Sequence, residues 1–91
     1  MTLEEFRTLK VGDYLFYKQF NFIMFLKIKS IDKIINSYNH ICYCDIIYRN
    51  SAVTNTNKSY CITWYNYFAA KYTLVTDQKE IDYYYKLAIF S

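Results

Sequence analysis

Aromatic residues dominate this sequence: twelve Tyr, seven Phe and one Trp stand in a chain of 91 residues that has one Gly and no Pro. A chain of this length buries only about 60–65% of its unfolded surface. Its core cannot hide so many rings, so we expect some at the surface, where large apolar patches commonly mark an interface. Two alternatives are half-buried Tyr rings with hydrated hydroxyls, and an AT-rich gene whose codons favour these residues.

Composition and charge exclude several classes of protein. The sequence is 54% hydrophobic and 21% charged, which excludes a disordered or collagen-like chain. A net charge of +3 allows an anionic partner, but it falls short of the charge typical of a dedicated nucleic-acid binder. One Gly cannot build the glycine-rich loops that bind nucleotide phosphates. We therefore expect no cofactor.

The sequence also predicts a cellular compartment. The first residues are acidic and lack the apolar run of a signal peptide. The most apolar stretch, residues 20–26, is far shorter than the ~20 residues that span a bilayer. Three Cys, an odd number, fit a reducing environment. We expect one domain over residues 1–91 in the cytoplasm, without a membrane partner.

Local patterns predict a helix, five short strands and a second helix. Thr2 and Glu5 form a capping-box pattern that opens a helix over residues 2–9. Asp77 is the predicted N-cap of an amphipathic helix over residues 77–89, which we expect to cover an open end or edge of the sheet. Alternation and β-prone composition predict the strands, at residues 13–19, 22–31, 40–49, 59–65 and 71–75. Turns and loops are predicted at residues 10–13, 32–39, 50–58 and 67–70, the last as one helical turn.

Residues 9–18 (LKVGDYLFYK) resemble the opening of SH3-like small β-barrels, in which a Val-Gly-Asp turn leads into a strand. The helical turn at residues 67–70 also belongs to that pattern, and residues 71–81 (KYTLVTDQKEI) are similar to the strand-to-helix exit of small phage-encoded barrels. The glycines usual at the hairpins of such barrels are missing here. The resemblance implies binding of peptides, proteins or nucleic acids, and it carries no catalytic residues.

Cysteine and histidine side chains form the sharpest candidate for chemistry. His40, Cys42, Cys44 and Cys61 match a zinc site by number, but alternate positions on a strand lie ~6.6 Å apart, too far for three collinear ligands to converge. A Cys–His nucleophile lacks a third group to orient the imidazole, because Asp45 points to the opposite face. We therefore expect neither a metal site nor an enzyme, and interpret the Cys residues as small buried hydrophobes.

Alternation along the strands predicts a sheet face on which rings are interleaved with cations. If Met24, Leu26 and Ile28 point inward, the residues between them point outward. The parity of the third strand is ambiguous, and we take its odd positions as outward. The predicted binding residues are Tyr14, Phe16, Phe25, Lys27, Lys29, Tyr43, Arg49 and the helical Tyr83. The alternative is that the terminal helices cover this face as a second core layer.

These observations predict a non-enzymatic α+β protein with a strongly bent antiparallel sheet or an SH3-like barrel. We expect its aromatic face to bind a protein or a ribonucleoprotein, with aromatic residues and Arg as anchors. The resemblance implies a phage or mobile-element protein that inhibits a host defence complex in the host cytoplasm, as anti-CRISPR proteins do. The alternatives are a module that binds single-stranded RNA or DNA and a homodimer or larger homo-oligomer that buries its rings against itself.

Overall fold

The structure is a computed structural model that describes residues 1–33, 40–50, 59–64 and 68–90. Most of the predicted turn at 32–39 and loop at 50–58, together with residues 65 and 67, lies outside the described residues. The helices are Leu3–Arg7 (α1), Phe68–Lys71 (α2) and Gln78–Phe90 (α3). The strands are Tyr14–Gln19 (β1), Phe22–Asp32 (β2), Ile41–Arg49 (β3), Ser59–Thr63 (β4) and Thr73–Val75 (β5). Within the described ranges, no helix is long and apolar enough to cross a bilayer.

The five strands form one antiparallel sheet in the order β4-β3-β2-β1-β5. The predicted α+β class and the order of the elements are confirmed, with ends that differ by up to two residues. The sheet is open, because β4 and β5 form no ladder with each other among the described residues. The structure therefore shows the antiparallel sheet but no closed barrel.

The sheet curls so that its two edges approach each other. Tyr60 of β4 and Tyr72, which precedes β5, share a side-chain hydrogen bond. In a flat sheet of this order the two edge strands would lie about 19 Å apart, farther than two hydrogen-bonded tyrosines reach. The curvature therefore brings the edge strands together over one face of the sheet.

Both faces of the sheet carry a hydrophobic core. We call them the α1 face and the α3 face after the helices that pack on them. On the α1 face, Phe6 and Leu9 lie over a core formed by Leu15, Tyr17, Met24, Leu26, Ile28, Cys42, Cys44, Ile62 and Tyr72. On the α3 face, Ile81 and Tyr84 of α3 pack on Phe25 and Val75. Met24, Leu26 and Ile28 thus share a face, as their alternation predicts.

Local hydrogen bonds hold the helix ends and the first turn where the sequence predicts them. The Thr2 hydroxyl accepts from the Glu5 amide at 3.1 Å, and the Glu5 carboxylate accepts from the Thr2 amide at 3.0 Å. Asp77 accepts from the Lys79 amide at 3.1 Å, as an N-cap does. Gly12 has φ of 97°, which its missing Cβ permits.

A strained hairpin tip was not predicted from the sequence. The β1–β2 hairpin turns through Phe20 and Asn21, and Phe20 has φ of 54° with 89% of its surface exposed. The left-handed conformation costs a residue with a Cβ about 1–2 kcal/mol, and Asn adopts it more readily than Phe. Aromatic residues rarely adopt a positive φ, so the sequence at Phe20 does not indicate the turn as a Gly or Asn would.

Replacing Phe20 with Asn is expected to raise the free energy of unfolding by about 0.5–1 kcal/mol, because Asn tolerates the left-handed conformation and the exposed ring loses little packing. Urea denaturation followed by circular dichroism measures the change. Phe20→Leu is the matched control, since it keeps the strain and leaves stability unchanged. If Phe20→Asn were less stable than the wild type, the conclusion that the backbone at Phe20 is strained would be wrong.

Candidate functional site

Helix α3 covers most of the predicted binding face. Phe25 is fully buried, and its ring stacks against Tyr14, at a centroid distance of 5.4 Å, and against Tyr84 of α3, at 4.5 Å. Phe16 packs against Tyr84 at 5.5 Å. The expectation that Phe25 is exposed is therefore wrong. This part of the face is a second core layer, which is the alternative that the sequence left open.

The position of α3 differs from the expected one. Its buried residues Ile81 and Tyr84 follow the predicted helical spacing, but they lie on a face of the sheet and not over an open end or edge. The physical reason is the burial that the strands need on their second face, where Phe25 and Val75 carry apolar surface that only another element can cover.

The basic residue Lys27 lies at the border of the area that α3 covers. Its Nζ is 5.7 Å from the centre of the Tyr14 ring, a cation–π distance. The Tyr14 and Tyr85 hydroxyls are hydrogen-bonded at 3.0 Å. Burial, this bond and the charge of Asp45 raise the pKa of Tyr85. Lys27 therefore packs on a ring that is itself held by the helix.

The other three predicted residues do not belong to the core that α3 buries; Lys29 and Tyr43 are neighbours across the β2–β3 ladder, and Tyr83 lies on α3. Lys29 is exposed where the pairing register of β2 and β3 shifts. Tyr43 is half-buried on β3. The charge of Asp32 raises the pKa of the Tyr43 hydroxyl, and burial and the hydrogen bond between Tyr43 and Asp32 raise it further. Tyr83 is 56% exposed, and its ring centroid lies 5.3 Å from that of Tyr84 in an edge-to-face arrangement.

Arg49 lies on the opposite face from the predicted one. An irregularity in the β2–β3 ladder pairs Phe25 with Tyr48 but Leu26 with Ile46, which leaves Ile47 as an extra residue. Such a bulge shifts the alternation of side chains by one position. Arg49 therefore pairs with Met24 and lies on the α1 face, and the expectation that it shares a surface with Tyr43 is wrong.

The bulge and the curled sheet together form an aromatic cleft on the α1 face. It has a volume of 190 Å³ and is lined by Tyr17, Phe22, Met24, Arg49, Tyr60 and Tyr72. These residues come from β1, β2, β3 and β4 and from the position just before β5, so the walls draw on residues from across the sheet. We call this site the aromatic cleft.

Ring contacts and hydrogen bonds hold the cleft walls. The centroid of the Tyr17 ring lies 5.1 Å from that of Tyr72 and 6.0 Å from that of Phe22. The Tyr17 hydroxyl donates to the Gln19 side chain, and Tyr72 is hydrogen-bonded to Tyr60. Burial, followed by the bond to Tyr60, raises the pKa of Tyr72 well above its usual range. The Tyr72 hydroxyl is therefore neutral at physiological pH, and the walls present aromatic rings and one guanidinium.

Alternation along β2 predicts that Met24 points inward, but no pattern in the sequence predicts the cleft. Tyr60 and Tyr72 stand 12 positions apart and approach each other only because the sheet curls. The available signal was the presence of four rings at positions that line one concave face. Alternation alone predicts that such rings fill a core, so it gives no sign that they leave a cleft between them.

The cysteine and histidine candidates do not converge. Cys42 and Cys44 are buried on the α1 face, whereas Cys61 is exposed. Burial raises the pKa of Cys42 to about 11 and, with smaller contributions from nearby anionic groups, the pKa of Cys44 to about 12. In the described ranges, no three of the His, Cys, Asp and Glu side chains are placed to hold a metal ion.

His40 has a different environment, at the end of the sheet. Its ring stacks on Phe6 of α1 at 6.1 Å, and Trp64 packs on the same Phe6 ring at 5.6 Å. Its Nδ1 atom is buried and has no hydrogen-bond partner among the described residues. Burial and then the charges of Lys33 and Arg7 lower the pKa of the imidazole. His40 is therefore a neutral packing residue.

The free energy of unfolding is expected to decrease as the pH falls, because protonation of His40 disfavours the folded state. The unfolded imidazole has a pKa of about 6.5 and the folded one a lower value, so the unfolded state binds more protons below that pH. The contribution is complete above about pH 6.5 and is lost as the pH falls through the folded pKa. Replacing His40 with Phe removes this dependence, so urea midpoints from about pH 7.5 to 5 fall less steeply for His40→Phe than for the wild type. Equal slopes would contradict a lowered pKa.

No known family model, no curated protein sequence and no solved structure matches this chain. Its function must therefore be argued from the chemistry of its own residues.

Proposed function

We propose that this protein is a non-enzymatic binding protein that holds a partner protein by taking one of the partner's side chains into the aromatic cleft. The observation that carries the proposal is the size and lining of the cleft. Its 190 Å³ is smaller than the roughly 300–1,000 Å³ of sites for drug-sized ligands. A single ring or side chain fits, so the ligand is one group of a larger molecule.

The lining chemistry supports binding. Of the described residues that line the cleft, none is a carboxylate, an imidazole or a thiol, the side chains that most often act as general bases and nucleophiles, and burial raises the pKa of the Tyr72 hydroxyl. Aromatic residues and Arg, in contrast, are the residue types that dominate binding energy at protein interfaces. A rigid concave site of rings matches an anchor side chain with little loss of conformational entropy.

Charge and ring placement favour a protein over single-stranded nucleic acid. Nucleic-acid grooves combine stacking rings with several cations that follow the phosphates. The described lining of the aromatic cleft contains one cation, Arg49. The rings of the predicted stacking face, Phe25 above all, are covered by α3. The identity of the partner, a host defence complex located in the host cytoplasm, stays a prediction from the resemblance.

Purification of the tagged protein from the cells that encode it, followed by native mass spectrometry, tests the proposal when two variants are compared. Phe22 lines the cleft, and Phe90 is 86% exposed on α3 and is not among its lining residues. We expect Phe22→Ala to lose a specific partner protein and Phe90→Ala to retain it. With the purified partner, the dissociation constant rises about 30-fold or more for a residue that anchors an interface.

Three outcomes would overturn the proposal. A partner retained equally by folded Phe22→Ala would place the interface elsewhere. Recovery of heterogeneous RNA or DNA that dissociates as salt rises would identify a nucleic-acid module, because phosphate contacts release counterions. Recovery of a self-dimer alone, with a concentration-dependent melting temperature, would identify a homo-oligomer. Thermal unfolding of both variants confirms that each is folded before binding is compared.

A further inference from the structure

The aromatic cleft is chemically asymmetric. The Tyr17 ring contacts the rings of Phe22 and Tyr72, whereas Arg49 contributes a guanidinium and pairs with Met24 in the β2–β3 ladder. Arg49 is the only charged residue in the described lining of the cleft. A ligand that satisfies both parts needs an apolar ring and an anionic group close to it.

The backbone around Arg49 is held in place. The next residue, Asn50, accepts from the Ile23 amide at 2.8 Å and donates through Nδ2 to the Asn21 carbonyl at 2.6 Å. Its own amide donates to the Ile23 carbonyl at 3.2 Å. These bonds tie the end of β3 to the β1–β2 hairpin, so the residue that carries the guanidinium is positioned before a ligand arrives. Preorganisation of this kind lowers the entropic cost of binding.

We propose, as an extension of the proposed function, that the group bound in the cleft is an aromatic ring with an adjacent carboxylate, as in an acidic segment of a partner protein that contains an aromatic residue. The rings of the cleft contact the aromatic group face to edge or in offset stacks. The guanidinium has five N–H donors in a planar fork, so it can keep a protein partner and also bind a carboxylate. The net charge of +3 favours an acidic partner.

The same asymmetry disfavours a cationic ligand. Cages of aromatic rings bind methylated lysine or choline through the negative faces of the rings. Here a guanidinium lies in the wall, and its charge repels a ligand cation. The charge of Arg49 thus separates two ligands of similar size and shape.

Fragments of the proposed ligand test the inference on the isolated protein. The probes are phenylacetate, which has the ring and the carboxylate; benzyl alcohol, which has the ring alone; acetate, which has the carboxylate alone; and benzyltrimethylammonium, which has a ring and a cation. Uridine 5′-monophosphate represents a nucleotide. The Met24 methyl group is a suitable NMR probe, because the chain has only two Met and this one lines the cleft.

We expect phenylacetate to shift the Met24 resonance and to bind about tenfold or more tightly than benzyl alcohol, acetate or benzyltrimethylammonium. Arg49→Gln is expected to reduce phenylacetate binding to the level of benzyl alcohol and to leave benzyl alcohol unchanged. Phe22→Ala is expected to weaken both. If Arg49→Gln does not fold, the order of the five probes on the wild-type protein decides the question.

Equal binding of phenylacetate and benzyl alcohol, or tighter binding of the cation or the nucleotide, would overturn the inference. The two proposals fail separately. A preference for phenylacetate, combined with a partner that Phe22→Ala still retains, would refute the proposed function and leave the ligand specificity intact. A partner lost with Phe22→Ala, combined with fragments that show no preference for the acid, would refute the ligand class alone.

Discussion

Replacing Phe25 with Ala is expected to lower the free energy of unfolding by about 3–5 kcal/mol. The ring is fully buried and stacks on Tyr14 and Tyr84, so its removal leaves a cavity and also breaks aromatic pairs worth about 0.5–1.5 kcal/mol each. Small domains are stable by only about 5–15 kcal/mol, so this variant is close to unfolding at room temperature. Urea or thermal denaturation measures the loss.

Phe90→Ala is the matched control for this prediction. It removes the same ring from a position that is 86% exposed, and we expect a change within about 0.5 kcal/mol. Similar stability of the two variants would show that α3 does not cover the strands. In that case the exposed aromatic face predicted from the sequence would again describe the protein. The comparison therefore decides between the two interpretations of the same alternating strand.

The three thiols are expected to differ strongly in reactivity. Cys61 is exposed, whereas burial raises the pKa values of Cys42 and Cys44 to about 11 and 12. Because the thiolate is the reactive form, we expect the two buried thiols to react with iodoacetamide about two to three orders of magnitude more slowly than Cys61 at neutral pH. Mass spectrometry after timed alkylation counts the modified residues.

Denaturant and one substitution complete the thiol experiment. In concentrated urea all three thiols are expected to react at similar rates, because the burial that separates them is lost. Cys61→Ser is expected to remove the fast phase and to leave the slow one. Rapid modification of all three thiols in the native protein would contradict the burial of Cys42 and Cys44.

The helix ends and strand positions could be predicted because they depend on neighbouring residues. Thr2 and Glu5 are three positions apart and bond to each other wherever the helix packs. Asp77 likewise bonds within its own turn. Met24, Leu26 and Ile28 precede the register shift of β2 at Lys29, so their alternation indicates the correct face.

The prediction of the binding face was wrong at Phe25 and Arg49, for two different physical reasons. Phe25 has the predicted parity, but α3 covers it, and periodicity cannot tell a solvent-exposed face from one that another element buries. Arg49 has the opposite parity, because one extra residue at Ile47 shifts the alternation. A Gly within a strand often indicates a bulge, but β3 contains no Gly, so the sequence near Ile47 does not predict one.

The sequence by itself determined the order of the elements, the capped helix ends and the residues that share a face of β2, because each depends on residues close together in the chain. Tertiary structure alone decided that α3 covers Phe25, that Arg49 moves to the α1 face and that Tyr60 meets Tyr72 across the aromatic cleft. These features depend on how separate elements pack and how the sheet curls. Burial and concavity belong to pairs of elements, whereas a pattern along the chain describes one element at a time.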